Sequence, residues 1–377
     1  MTLPAPFFVT SREALASCVA RCLDCDAVTV DTEFIRTDTF FPVLGLIQIS
    51  DGCDVWLIDP LAIDDFAELE RLFLAPAVVK VFHSCSEDLE VLRHQLGLVP
   101  APLFDTQVAA AFLNYGYSRG YAAMAQTVLD LALDQQETRS DWLRRPLTDS
   151  QQKYAAEDVY YLMQIYRKLV GELEVAGRSE WVRAEMAELL ANARAPESLE
   201  TYYLRVKGAN KLDQRDTALL RELTCWRERE ARARNRPRNR IVADRALLDL
   251  IRFKPEKTNG LYRIEGFNAG TVHRYGEMLL ELVHSEPELD DLEAIPEPLD
   301  KKGKALMAQC RDLLEAAARK MTLAVELLAR KKELESLVSS ALAGKPELPI
   351  RLVDSWRYEI CGRELLALVA AEGKCHD

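Results

Sequence analysis

The chain predicts a mixed-sheet α/β domain followed by two small all-helical modules, and three observations carry that reading. Strand-like runs at residues 27–34, 43–50 and 53–58 follow one another closely, as in a β-meander, and later runs alternate with helical patterns. After Pro196 the β signal disappears and only helical periodicity remains. Finally, 377 residues exceed what one hydrophobic core organises comfortably. The boundaries drawn are 1–195 for the α/β domain, 210–292 for the first helical module and 298–377 for the second.

The first apolar face is helical: Ala14, Leu15, Cys18 and Val19 share one side of a helix over 11–22. The first strand starts at Ala27. Asp51-Gly52 forms the tight turn between the second and third strands. An amphipathic helix over 64–74 ends before Pro76, and 78–82 is a fourth, buried strand. Ser84 with Glu87 three residues on has the capping-box pattern and starts a helix striped by Leu89, Leu92 and Leu96. Leu103-Phe104 reads as a brief fifth strand, and the remainder to residue 195 as helical. Thr148 and Gln151 repeat the capping-box pattern. In the second half, helices over 219–234 and 244–251 are separated by Asn235-Arg236-Pro237. An acidic, proline-punctuated linker spans 285–300, and helices return over 306–342 and 362–371.

A hydrophobic content of 49% and a charged content of 29% describe an ordinary soluble chain. The net charge of −12 argues only weakly against a nucleic-acid partner, because binding depends on where the cations sit. No run of about 18 apolar residues is present to span a bilayer, and no basic segment precedes the apolar N-terminus, so a cytoplasmic location and no membrane partner are expected. Nine scattered cysteines fit reduced thiols; Cys18, Cys22 and Cys25 lack a fourth zinc ligand at suitable spacing.

Chemistry enters with Asp31 and Glu33 at the end of the first strand. Residues i and i+2 of a strand point the same way, so the two carboxylates stand side by side. Asp88 falls in the first turn of the helix after the fourth strand, where the helix dipole favours its ionised form. Tyr154 and Asp158, four apart, share a helix face. Four converging carboxylates would repel without metal. With two divalent cations about 4 Å apart they become ligands for in-line phosphoryl displacement. Oxygen-only ligation suits Mg²⁺ or Mn²⁺ rather than zinc, and no P-loop glycine run is present.

The order D-x-E, D, Y-x-x-x-D resembles the tyrosine-bearing branch of the DEDD superfamily of 3′→5′ exonucleases. Asp31-Thr32-Glu33-Phe34, Leu44 through Gln48, His83 through Leu89, Phe104-Asp105-Thr106, Ser140-Asp141-Trp142 and Arg145 through Thr148 are similar to the ribonuclease D family, over about residues 20–170. The resemblance implies a ribonuclease H-like exonuclease domain. It implies that Asp31 bridges two metals, that Glu33 and Asp158 hold the metal on the water side, that Asp88 supports the second, and that Tyr154 orients the water. A tyrosine pKa near 10 leaves little phenolate at neutral pH, which favours orientation over full base catalysis. Phe34, Trp142, Arg144 and Arg145 are candidate RNA contacts, although Trp142 can equally pack between helices. Asp105 is an N-cap or a metal neighbour, Gln48 a site hydrogen-bonder or a polar strand residue, and His83 a structural hydrogen-bonder.

Seven arginines crowd residues 227–240 behind Trp226, with two glutamates between them. Such a cluster binds phosphate or pairs with nearby acids. The surrounding text resembles the HRDC domain, a helical nucleic-acid-binding unit, so Trp226, Arg227, Arg232, Arg234 and Arg236 are candidate contacts. Residues 298–377 stand where a second, degenerate copy would be. The expectation is therefore a metal-dependent 3′→5′ exoribonuclease acting on RNA with a free 3′ end, precursor tRNA by family resemblance, releasing 5′-mononucleotides. No protein partner is implied. The rival readings are a DNA-directed exonuclease of the same superfamily and a non-catalytic HRDC nucleic-acid-binding protein.

Overall fold

Strand alternation and helix caps together position the acids. The structure, a computed structural model, describes residues 3–293, 295, 297–353 and 355–373. Its strands are β1 (Phe7–Val9), β2 (Ala27–Ile35), β3 (Val43–Ser50), β4 (Val55–Ile58), β5 (Val79–Phe82) and β6 (Leu103–Asp105). They form one sheet in the order β1-β4-β3-β2-β5-β6. β3 and β4 are antiparallel, with Ile47 opposite Ile58, while β1 lies parallel to β4, β5 parallel to β2, and β6 parallel to β5. The mixed sheet is as expected; β1 is additional. Three residues are too few to show a period, and β1 is held by pairing and by Phe7 stacking on Trp56 at 6.3 Å.

β2 is central and sandwiched. Thr29 on one face donates to the Val159 carbonyl at 2.8 Å, which fixes the Asp149–Val175 helix against that face. Val28 and Val30 on the other face join Leu89 and Leu92 of the Ser86–Leu96 helix in the main core. The Asp149 helix has its full capping box, Thr148 bonding the Gln151 N–H and Gln151 reaching back. The expected Ser84–Glu87 box does not form. Ser84 sits at φ 64° and the helix begins at Ser86, because the buried Asp105 carboxylate accepts from the Ser84 and Cys85 N–H groups. The same carboxylate accepts from Gln107 and Val108 and caps the Thr106–Phe112 helix. One aspartate thus closes two helix ends.

Residues 130–147 are irregular, not helical as expected. Asp130, left-handed at φ 54°, ends the Tyr121–Leu129 helix. Arg145 then anchors the loop, donating to the Trp142 carbonyl at 2.8 Å and to the Gly45 carbonyl of β3 at 2.6 Å, besides pairing with Asp59. This loop approaches β3 so closely that a Cβ on Gly45 would lie 2.7 Å from the Trp142 carbonyl.

The chain divides into two compact units. One runs to Ile35, from Leu44 to Arg194 and from Leu299 onward; the other joins Arg36–Val43 to Ala195–Pro298. Residues beyond Leu299 are helical as expected (Lys301–Met321, Lys331–Leu342, Arg363–Gly373), and they share a core with the α/β domain instead of standing apart. Trp356 stacks on Trp181 at 4.8 Å and meets Phe112 at 5.4 Å. In the second unit the helices Gln214–Ala233, Asp244–Phe253 and Ala269–His284 close around Leu219, Leu223, Leu247, Leu250 and Leu279. Asn235 there accepts from the Phe40 and Phe41 N–H groups, which ties in the segment after β2. Among the described residues no helix is long and apolar enough to cross a membrane.

Candidate active site

At the C-terminal end of β2, side-chain alternation turns Asp31 and Glu33 toward the Asp149–Val175 helix, and Asp158 answers from that helix. One oxygen of each of these three carboxylates lies within 4.8 Å of the others, and all three side chains retain some access to water. Among the described residues no other group of three or more His, Cys, Asp or Glu is so disposed to hold a metal, and the described cysteines are free thiols. Asp31, Tyr154 and Asp158 line a cavity of about 170 Å³ with His83, Tyr121 and Gln135.

Asp88 stands in the first turn of its helix, as expected, but outside this group of three. It reaches the site from the opposite face of β2, where Thr32 donates to it at 2.5 Å. Its helix begins at the Asp105 clamp, so Asp105 resolves as an N-cap. His83 contacts Thr106 and the Arg119 carbonyl, both at 2.9 Å, a structural hydrogen-bonder as expected.

Crowding and burial show in the protonation equilibria. Burial, and then the facing Asp158, push Asp31 up to about 8 against an opposing Thr32 N–H. Asp158 is pushed up to about 7 by burial, which the Tyr154 hydrogen bond partly offsets. Glu33 and Asp88 are raised by burial and by the Asp31 charge. Carboxylates held this close need a cation to stay ionised together. An all-oxygen donor set of this kind fits hard divalent cations such as Mg²⁺ or Mn²⁺. Tyr154, near Asp158, has its phenol raised by burial and by that charge, so it stays protonated and able to donate.

The candidate RNA contacts divide. Trp142 is 1% exposed and packs with Leu46, Leu57 and Leu147, so its ring cannot stack on a base. Arg145 is committed to Asp59 and to three carbonyls within its own domain, which makes it structural. Phe34 is half-buried against the main core, while Arg144 is exposed. In the second unit Arg227 is 3% exposed and bonds Asp244 and the Val242 carbonyl, so it does not face a ligand. Trp226 packs edge-on to Tyr275 at 5.3 Å. Arg232 pairs with Glu197 and covers Phe40, and Arg234 pairs with Glu230. Arg236 makes no ion pair among the described residues. It lines a cavity of about 790 Å³ with Arg234, Arg240, Arg274 and the start of the Ala269–His284 helix. Arg240 there closes the arginine stripe read in the sequence, whereas Arg274 arrives from another helix. The sequence also did not single out Thr32 or Tyr121. Tyr121 donates to the Glu157 carbonyl at 2.8 Å and meets His83 edge-on.

Comparison with known proteins places this geometry. A family model described as 3′-5′ exonuclease matches residues 6–174, and the HRDC domain model matches 216–283. The chain is 43% identical over 345 residues to ribonuclease D of Pseudomonas paraeruginosa, covering 90% of this chain and 91% of that one. It is 36% identical over 368 residues to ribonuclease D of Escherichia coli, covering 95% and 96%. The crystal structure of Escherichia coli RNase D, described as an exoribonuclease involved in structured RNA processing, superposes with a TM-score of 0.89 at 33% identity. That match covers 97% of this chain and 99% of that one. The expected exonuclease fold, HRDC region and class of enzyme are thereby met, and the chain belongs to the ribonuclease D family of DEDD-type 3′→5′ exoribonucleases.

Proposed function

We propose that this enzyme shortens RNA one nucleotide at a time from a free 3′ hydroxyl, with two divalent cations at the Asp31 site, and that 3′ trailers of precursor tRNAs are among its substrates. The observation that carries the reading is the convergence of Asp31, Glu33 and Asp158 within 4.8 Å, with Asp88 reaching the same strand end from the other face of β2. Asp31 is close to Glu33 and Asp158, its charge is felt by Asp88, and it would be the residue suited to bridge both ions. Glu33 and Asp158 would hold one, and Asp88 would support the other. Two such cations supply charge stabilisation to the attacking and leaving oxygens of an in-line displacement.

The remaining work falls to the chain itself. The protonated Tyr154 hydroxyl donates to the attacking water and sets its direction along the axis of the bond to be broken. Water oxygen bonds to phosphorus and sheds a proton, the bond to the 3′ oxygen of the preceding nucleotide breaks and that oxygen takes up a proton to become the new 3′ hydroxyl, and a 5′-mononucleotide leaves. Arg144 in the 130–147 loop and Arg236 in the arginine-lined cavity are the candidate RNA contacts left exposed and without an ion pair among the described residues, and phosphates are their natural ligands. A cytoplasmic site of action accords with this substrate.

The experiment is a Mg²⁺-dependent digest of end-labelled single strands by wild type and Asp31→Asn. Wild type is expected to release mononucleotides from RNA, and the variant to lose activity by at least about 10³-fold while RNA binding persists. Internal cuts, or equal activity in the variant, would sink the reading. Faster digestion of the matched DNA strand would favour the DNA-directed alternative. A precursor tRNA with an extended 3′ trailer tests the substrate: no shortening under conditions that degrade a plain single strand removes it.

A further inference from the structure

We propose that Thr32 is a positioning residue that aims Asp88 at the second of two divalent cations, and that its hydroxyl, not its bulk, sets the affinity of that cation's site. The inference rests on the two-ion reading above. Thr32 lies between the two acids of β2, and the alternation that turns Asp31 and Glu33 to one face turns Thr32 to the other. There it meets the first turn of the Ser86–Leu96 helix and donates to one oxygen of Asp88 at 2.5 Å. Both side chains are buried, at 5% and 7% exposure, in a part of the core where bulk water cannot stand in for the hydroxyl.

The contact matters because Asp88 stands apart from the other acids. Asp31, Glu33 and Asp158 converge within 4.8 Å of one another on a strand and a long helix. Asp88 lies outside that group, in a helix whose start is set by the Asp105 clamp. Asp105 fixes the backbone; it does not fix rotation of the Asp88 carboxylate. The Thr32 hydroxyl does, by occupying one oxygen and leaving the second available as a ligand. A hydroxyl donates to the ionised carboxylate, the form that binds a cation. Because Thr32 and Asp31 are neighbours on one strand, the orientation of Asp88 is referenced to the bridging acid itself.

Outer-sphere hydrogen bonds of this kind alter metal affinity by about 10- to 100-fold. The test compares wild type, Thr32→Val and Thr32→Ser by Mn²⁺ titration, with free ion read by electron paramagnetic resonance, without RNA. Valine keeps the shape and strand preference of threonine and removes the donor; serine keeps the donor. Wild type is expected to bind two ions, T32V to keep the tighter and weaken the other by at least about tenfold, and T32S to return within about threefold. Half-saturating Mg²⁺ for RNA digestion should rise in T32V while the rate at saturating Mg²⁺ changes far less, a split that a folding defect does not produce. T32A carries the same readout if T32V does not fold. Two ions bound by T32V with wild-type affinities would overturn the role of Thr32 and leave the two-ion reading standing. A single ion in wild type would overturn both.

Discussion

Glu185 accepts from Arg357 at 2.6 Å, and both side chains are buried although they stand 172 residues apart in sequence. Arg351 reaches the other oxygen of Glu185 at 3.1 Å and is shared with Glu188 and Glu333. A single carboxylate therefore bridges two guanidinium groups between the α/β domain and the C-terminal helices, with Glu188 and Glu333 supplying the remaining negative charge. Replacing it by Glu185→Gln leaves those charges without their central partner, and breaking a buried pair costs about 3–5 kcal/mol. Urea unfolding followed by tryptophan fluorescence should show that loss, because Trp181 and Trp356 stack beside the cluster. A midpoint within error of wild type would show that the cluster contributes nothing to docking.

Arg145 belongs to the same class of structural arginine. It forks onto Asp59 at 2.6 and 2.7 Å and holds carbonyls of β3 and of its own loop. Arg145→Met is expected to destabilise the protein by about 2–4 kcal/mol. The salt dependence of RNA binding should remain as in wild type, since that slope counts phosphates contacted. A slope smaller by about one, with stability intact, would return Arg145 to the RNA interface.

Metal-free protein should lose stability as pH rises. Asp31 at about 8 and Asp158 at about 7 lie above the unfolded range near 4, so the folded state holds more protons between these limits. The stabilisation is complete below about pH 4 and disappears as pH rises through 8. In EDTA the melting temperature should fall between pH 5 and 8.5, and excess Mg²⁺ should reverse the fall by binding the deprotonated acids. A melting temperature that rises with pH in EDTA would contradict the crowding of these groups.

Gln48 is fully buried in β3, with neither amide atom partnered among the described residues. Each such group costs about 1–3 kcal/mol. Gln48→Met should therefore raise stability, by about 1–2 kcal/mol in thermal or denaturant unfolding. A fall in stability would mean that water or substrate satisfies the amide.

What could be read from the sequence depended on the range of the interaction. Asp31 and Glu33 were legible because strand alternation is local, and Tyr154 with Asp158 because helix spacing is. The full capping box at Thr148 followed from four consecutive residues. At Ser84 the same pattern failed, because Asp105, some 20 residues away, took the backbone donors first. The arginine stripe misled for a related reason. Composition shows charge but not partners, and Arg227, Arg232 and Arg234 each find an acid within their own unit. Trp142 is buried by Gly45, almost a hundred positions earlier, whose missing Cβ admits the loop. The sharing of one core by residues beyond Leu299 and the α/β domain lay furthest from view, since no local period encodes a contact across 172 residues.

That last contact bears on how the protein is born. A ribosome adding about 5–20 residues per second delivers Arg357 about 9–34 s after Glu185. Throughout that interval Trp181 and Phe112 have no Trp356 to cover them, and Glu185 has no counter-charge. The nascent α/β domain waits uncovered while the Ala195–Pro298 part of the second unit emerges in the gap. A premature stop between Arg194 and Trp356 would thus release a chain with an apolar, acid-edged face left bare, a ready ligand for chaperones and proteases.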